Sequence, residues 1–431
     1  MDRHPLEDFW GSGADLGTLP QGKMKGRQAD HDEGVAFMAP WEDPHSGFPE
    51  HARRSALALD AAGVPTHLRS FDVGTQLMAY GPGSAAVEKR VKHLLDKSIR
   101  RYAVMLSMFV PTETRLHNTI VHARMPAEEL VVVNAHRILY NVWERQNVAE
   151  STVLSLNQVG QVWVACRANA DMLERCGVKH EKIRVVPIPY FPDDPHLALS
   201  RRSRSSVKGL PIDCVRFYHI EKWEPRKEGR NIIGAFLKAF RPGEARLYFK
   251  SSMYSPKYPD YPLTPEHAVH YWLDQSDVRA MGWLPENVNT GIALIKKLLD
   301  DKAMLDLHRM GDVYVTMSRG EGWDMPAYDA KLSGNAMVYV PSGGPQDFAC
   351  PDDIMVPASG TVPCNSWYQW GSDATCLDYK LEDAVSALRA ARQRVLRSGR
   401  RPGYDLSHFR AELVGRDMRA YVEQLAGGSF G

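Results

Sequence analysis

Apolar runs of strand length alternate with helical stretches through most of the chain. Val35–Ala39 reads as a first buried strand, and a helix is expected from about Pro49 to Ala62, with Ala52, Ala56 and Leu59 at helical spacing. Further strands are expected at Gly63–Leu68, Tyr102–Leu106, Asn118–Val121, Arg137–Tyr140, Gln161–Ala165 and Ile183–Pro189, with a helix ending at Cys176-Gly177. A stretch rich in Pro, Ser and Arg over 191–211 interrupts the pattern and reads as a linker. A second series starts with the strand Cys214–Ile220 and a helix carrying Ile232, Ile233, Phe236, Leu237 and Phe240 on one face. It continues with a strand at Arg246–Lys250, a long helix over about 292–310, strands at Val313–Ser318 and Ala336–Val340, and helices over about 381–398 and 407–425. Alternating strand and helix predict parallel, doubly wound α/β sheets. The divisions expected are a polar arm over 1–34, one α/β domain over 35–205, a second over 206–403 and a terminal helical segment over 404–431.

Composition narrows this picture. With 431 residues the chain is long enough for two or three cores, and 44% hydrophobic with 24% charged residues is the balance of a globular protein. A net charge of +1 gives no overall pull toward nucleic acid or membranes. Six scattered cysteines without a Cys-x-x-Cys pair argue against a zinc ribbon and a disulfide scaffold, and favour a reducing cytoplasm. No apolar run reaches the ~18 residues of a membrane span.

The most informative segment runs from Ser318 to Gly334 between two expected strands. Asp324 suits a helix N-cap, Pro326 the first turn and Gly334 the C-terminal stop. Two acids, Glu321 in the loop and Asp329 in the helix, stand eight residues apart. A strand–loop–helix unit puts this loop at the carboxyl edge of a parallel sheet, where open α/β sheets bind ligands. The helix N-terminus there suits a phosphate.

Ser318, Glu321, Gly322, Trp323, Pro326 and Gly334 resemble the donor-binding signature of retaining glycosyltransferases of family 4, which have the GT-B fold. Asp324 stands where Gly is common, and Asp329 where Glu is usual. Lys222 and Lys227 stand at the spacing of the family's Arg–Lys pair, with Arg226 beside them to supply a guanidinium. Arg137–Glu144, Val162–Cys166, Cys176–Pro187 and Asp312–Ser318 match other family stretches in order. The resemblance implies two Rossmann-like domains facing a cleft, with the last helix crossing back to the first domain. It implies that residues 35–205 bind the acceptor and 206–403 the nucleotide-sugar donor. Glu321 would hold the donor sugar, with the amides of Trp323, Asp324 and Met325. Asp329 would take the ribose, Lys222, Arg226 and Lys227 the diphosphate, and Ser46-Gly47 would approach it from the first domain. His122 would lie near the sugar, with His117 and His136 competing for that place and Glu144 near the acceptor.

No cofactor or metal is expected beyond the nucleotide sugar, whose base is open. The single Asp-x-Asp, Asp30-His-Asp32, lies in the expected arm. The acceptor is open among small molecules, lipids, polysaccharides and modified nucleic acid. A basic amphipathic helix around Lys89–Arg101, with Val87, Val91, Leu94 and Leu95 facing inward, offers contact with an anionic surface, so peripheral membrane attachment stands beside a cytoplasmic location. A glycosidase pair is rejected, because acids placed around a helix cap suit ligand hydroxyls better than a hydrolytic pair. Sugar-nucleotide epimerisation, phosphorolysis and binding without catalysis remain alternatives on the same fold.

Overall fold

The computed structural model describes residues 29–43, 46–70, 84–109, 135–193, 214–251, 264–364, 373–398 and 405–430. The expected strand at Asn118–Val121, His117, His122, most of the linker and nearly all of the N-terminal arm lie outside the described residues.

The first half holds β1 (His31–Ala39), α1 (Gly47–Ala61), β2 (Thr66–Ser70), α2 (Ser84–Leu95), β3 (Ile99–Ser107), β4 (His136–Asn141), α3 (Glu150–Leu156), β5 (Gln161–Val164), α4 (Arg167–Arg175) and β6 (Ile183–Val185). All six strands pair in parallel in the order β2-β1-β3-β4-β5-β6. The run Val35–Ala39 is buried along its whole length, as a strand covered on both faces must be. β1 begins at His31, so Asp30 and Asp32 flank the start of a strand rather than lying in a loose arm. On α2, Val91 and Leu94 are buried, while Val87 and Leu95 are partly so. Several of its basic residues and their neighbours face acids: Arg90 meets Glu50, Lys92 Asp96, Lys97 Asp60, Arg100 Asp32 and Arg101 Glu33.

The second half holds β7 (Val215–Ile220), α5 (Gly229–Ala239), β8 (Ala245–Lys250), α6 (Pro265–Leu273), α7 (Ser276–Ala280), β9 (Ile292–Ile295), α8 (Asp301–Met310), β10 (Val313–Thr316), α9 (Met325–Leu332), β11 (Ala336–Tyr339), α10 (Pro345–Phe348) and β12 (Ile354–Met355). These six strands are also parallel, in the order β12-β11-β10-β7-β8-β9. The long helix expected over 292–310 is corrected to a strand and a shorter helix. Ile292–Ile295 pairs with β8, and Asp300 opens α8 by accepting the Ala303 amide at 2.8 Å. A four-residue apolar run cannot be told from a helical segment by periodicity alone, and the sheet edge decided it. A β13 (Ala358–Pro363) and β14 (Thr375–Tyr379) hairpin follows. Cys364 and Cys376 are joined in a disulfide across it, with Cα atoms 5.0 Å apart. Nothing in the sequence marks this pair: the two cysteines stand 12 residues apart, and only the pairing of β13 with β14 brings them together.

The chain ends in α11 (Leu381–Ser398), on the second sheet, and α12 (Ala411–Ala426). Tyr190 and Ala411 meet backbone to backbone at 2.9 Å, and α12 then packs on the first domain. Val414, Met418 and Val422, four residues apart, enter the same core as Val35 and Phe37. This is the crossing helix implied by the resemblance. Gly415 sets its distance from α1, since a Cβ there would stand 2.4 Å from the Ala58 carbonyl oxygen. Gly415→Ala is therefore expected to cost about 1–3 kcal/mol. The check is a lower urea midpoint, with Gly428→Ala, whose Cβ would meet nothing within 4 Å, left unchanged.

Candidate active site

In the second sheet the chain leaves β7 toward β8 and β9, then returns on the other side of β7 as β10. The carboxyl ends of β7 and β10 therefore flank the switch point, where a crevice opens. β7 leads into Glu221–Lys227, and β10 into Ser318–Asp324, so the two segments singled out in the sequence meet there. Asp324 adopts the left-handed region (φ 69°, ψ 73°) and caps α9, accepting the Ala327 amide at 3.1 Å and the Thr316 hydroxyl at 2.7 Å. Asp visits that region more readily than most residues, which fits its place where the resembling family carries Gly.

The Glu321 loop is held on two sides by close backbone approach. A Cβ at Gly343 (φ 79°) would overlap the Glu321 carbonyl, and a Cβ at Gly320 would overlap the Glu144 carbonyl of the first domain. Glycine at these positions lets both domains press on the loop.

Charge is concentrated behind it. Lys227 Nζ lies 2.5 Å from Glu321 and 3.0 Å from Glu221. Arg226 reaches Glu321 at 3.3 Å, Glu224 at 2.7 Å and, across the domain boundary, Glu144 at 3.1 Å. Burial pushes Glu321 up, but Lys227 and Arg226 outweigh it and hold the carboxyl below its usual range. Burial raises Glu221 and Glu144. It also lifts Asp324 to about 7, with the Glu321 charge adding to the shift. Lys227 is held protonated: burial opposes its charge, but Glu221 and Glu321 prevail. Oxygens of Glu221, Glu321 and Asp324 lie within 4.8 Å of one another, a spacing that could hold a cation. The Lys227 ammonium already supplies positive charge between two of them.

These groups line a cavity of about 350 Å³ between the domains. Its first-domain wall is formed by α1, with Arg90 of α2 and Val142 and Glu144 beyond β4; α1 begins at Ser46-Gly47, Gly47 abuts Met325, and a Cβ there would stand 3.1 Å from Met325 Cγ. Apolar residues of α8 and the loop before it, including Leu299 and Met304, line another part.

No protein-family model matches the chain, and no curated protein matches its sequence. Solved structures do match its fold. Sucrose-phosphate synthase from Thermosynechococcus elongatus superposes with a TM-score of 0.52 at 15% identity, over 91% of this chain and 94% of that one. The lipopolysaccharide outer core galactosyltransferase WaaB gives 0.52 at 9% identity over 91% and 99%. HepE of Anabaena, in complex with UDP and glucose, gives 0.50 at 10% identity over 91% and 95%. The chain has the GT-B fold.

Within this GT-B cleft, Glu321, Lys222, Arg226, Lys227, Trp323, Asp324, Met325, Asp329, Ser46 and Gly47 all line the cavity. His122 lies outside the described residues. Three expected residues have partners that the sequence did not suggest. The Trp323 ring packs on Tyr328, Phe348 and Phe409 in a core. Arg226 is buried as a clamp on three acids. Asp329 accepts both terminal nitrogens of Arg54, each at 3.2 Å, from the other domain. Sequence reasoning missed Glu221, next to Lys222, and missed His51 and Arg54, which look like ordinary positions of an amphipathic helix. The Asp324 shift has a testable sign. Its folded value of about 7 lies above the unfolded one, so its contribution to stability is present at low pH and lost as pH rises toward 7. Asp324→Asn keeps the cap without the charge, and is expected to melt higher than wild type at pH 8, with the gap closing by pH 4.

Proposed function

We propose that this protein is a retaining glycosyltransferase, similar to family 4, that moves a sugar from a nucleotide-sugar donor to an acceptor without a metal ion. The observation carrying this reading is an ionised Glu321 at the sheet switch point, braced by Lys227 and Arg226 and facing a cleft between two Rossmann-like domains. Its carboxylate can accept hydroxyls of the donor sugar and fix the anomeric carbon. Lys222 and Lys227, at the cavity wall, can stabilise the diphosphate charge that leaves with the nucleotide; preorganised donors aimed at developing charge are commonly the largest catalytic contribution. Ammonium groups take the place a metal would have. Retention rests on the likeness of the Ser318–Gly334 segment to the retaining family. The tight seat of the Glu321 loop against Val142 and Glu144 suits closure that keeps water from the reacting carbon.

Acceptor contacts are assigned to the first domain. The acceptor's class remains among small molecules, lipids, polysaccharides and modified nucleic acid. Among the described residues no helix is long and apolar enough to cross a membrane. A cytoplasmic location is part of the proposal; four of the six cysteines are free thiols, while Cys364 and Cys376 form a disulfide.

A panel of nucleotide sugars tests the donor, with UDP-sugars first because the HepE complex holds UDP. A donor at 100 times its Kd is expected to stabilise the protein by about 2.7 kcal/mol. Glu321→Gln and Lys227→Met are each expected to lower transfer about 100-fold or more, assayed where circular dichroism shows the variant folded; Lys227→Met is expected to melt lower because it leaves Glu221 and Glu321 without their ammonium. Full turnover in both variants would refute the site.

A further inference from the structure

The first-domain wall of the cleft carries chemistry that sugar recognition at Glu321 does not use. Three guanidinium groups, from Arg53, Arg54 and Arg90, converge on the single carboxylate of Glu50 at 2.7–2.9 Å. Together they hold Glu50 well below the usual carboxylate range even though burial pushes it up. Arg53 is further engaged by the carbonyls of Trp41 and Asp43. Both terminal nitrogens of Arg54 donate to Asp329, a carboxylate of the opposite domain.

One turn before Arg54 on the same helix is His51. It is 1% exposed and lines the cavity, and both ring nitrogens lack a hydrogen-bond partner. The ring meets Tyr140 and Phe48 edge-on, at 4.6 and 6.3 Å, and neither contact satisfies a nitrogen. Burial, with Arg54 adding to it, lowers its pKa to about 3, so the imidazole is neutral and offers one donor and one acceptor. A buried polar ring without partners is costly to keep unless a ligand group meets it. α1 starts at the same cavity without a side-chain cap at Ser46.

We propose that His51, Arg54 and Arg90 form a phosphoryl-anion subsite on the first-domain wall, and that the bound anion takes Arg54 away from Asp329. A phosphate suits the guanidinium fork better than one carboxylate oxygen shared by two nitrogens does. The imidazole N–H then has an acceptor. Asp329 then loses its Arg54 contact and can turn to ligand hydroxyls, so anion and hydroxyl recognition are linked across the cleft. The proposal rests on this cleft being the substrate site. The phosphoryl group belongs either to the donor's diphosphate or to a phosphorylated acceptor.

Calorimetry on the full chain distinguishes these sources. The probes are inorganic pyrophosphate, UDP, GDP and ADP with their monophosphates, and glucose 6-phosphate. The variants are His51→Leu, Arg54→Met and Arg54→Lys, the last keeping the charge if Arg54→Met does not fold. Both Arg54 variants are expected to weaken binding of at least one phosphate probe about 10- to 100-fold. His51→Leu is expected to weaken the same probe while raising the melting temperature of the free protein, because it removes two unpartnered nitrogens. A merely structural histidine would raise the melting temperature alone. A loss larger for diphosphates than for monophosphates assigns the subsite to the donor. A loss confined to glucose 6-phosphate assigns it to the acceptor. Unchanged affinity for every probe in His51→Leu and Arg54→Lys overturns the proposal, as does failure of wild type to bind any of them. Binding of pyrophosphate or glucose 6-phosphate by wild type, but of no nucleotide, would sink the nucleotide-sugar reading and leave the anion subsite standing.

Discussion

The structure turns on the buried ion-pair network that joins Lys227 and Arg226 to Glu321. Charges cost several kcal/mol each to remove from water, and the cost is recovered only with close, multiply bonded partners. Here the partners come from three places in the chain: the segment after β7, the loop after β10, and Glu144 beyond β4. Removing one partner would leave the others buried and uncompensated. The network therefore demands a particular approach of the two domains, and the glycines at 320, 322 and 343 allow it. Each would carry a Cβ into backbone or a branched side chain of a neighbouring segment.

That approach also explains why the cleft is polar at two opposed walls. The second domain presents Glu321, Glu221 and Asp324 around Lys227, and the first presents arginines around Glu50. Arg54 and Asp329 join the walls directly. A substrate with phosphate and hydroxyl groups would exchange these protein–protein contacts for its own, a route by which binding can alter domain closure.

Fold and site were unequally legible in the sequence. Most strands of the two sheets showed as short apolar runs because parallel strands are covered on both faces, and α11 was expected at about 381–398, where it lies; the two-residue edge strand β12 was not expected. β9 was not, since a four-residue edge strand leading into a capped helix has no period of its own. The Ser318–Gly334 segment was legible because its punctuation is local: a cap, a proline and a stop lie within one short helix. The contacts of Asp329 and Arg226 were not, for their partners lie 275 and 82 residues away in sequence.

The sequence by itself determined the alternating α/β order in two series and the loop that carries Glu321. These follow from hydrophobic period and backbone preference, which are properties of neighbouring residues. Only the tertiary structure decided what each charge faces: the disulfide of Cys364 and Cys376, the clamp at Arg226, the Arg54–Asp329 bridge and the unpartnered ring of His51. Coulombic and desolvation energies depend on distance and burial in space, and no local pattern along the chain encodes either.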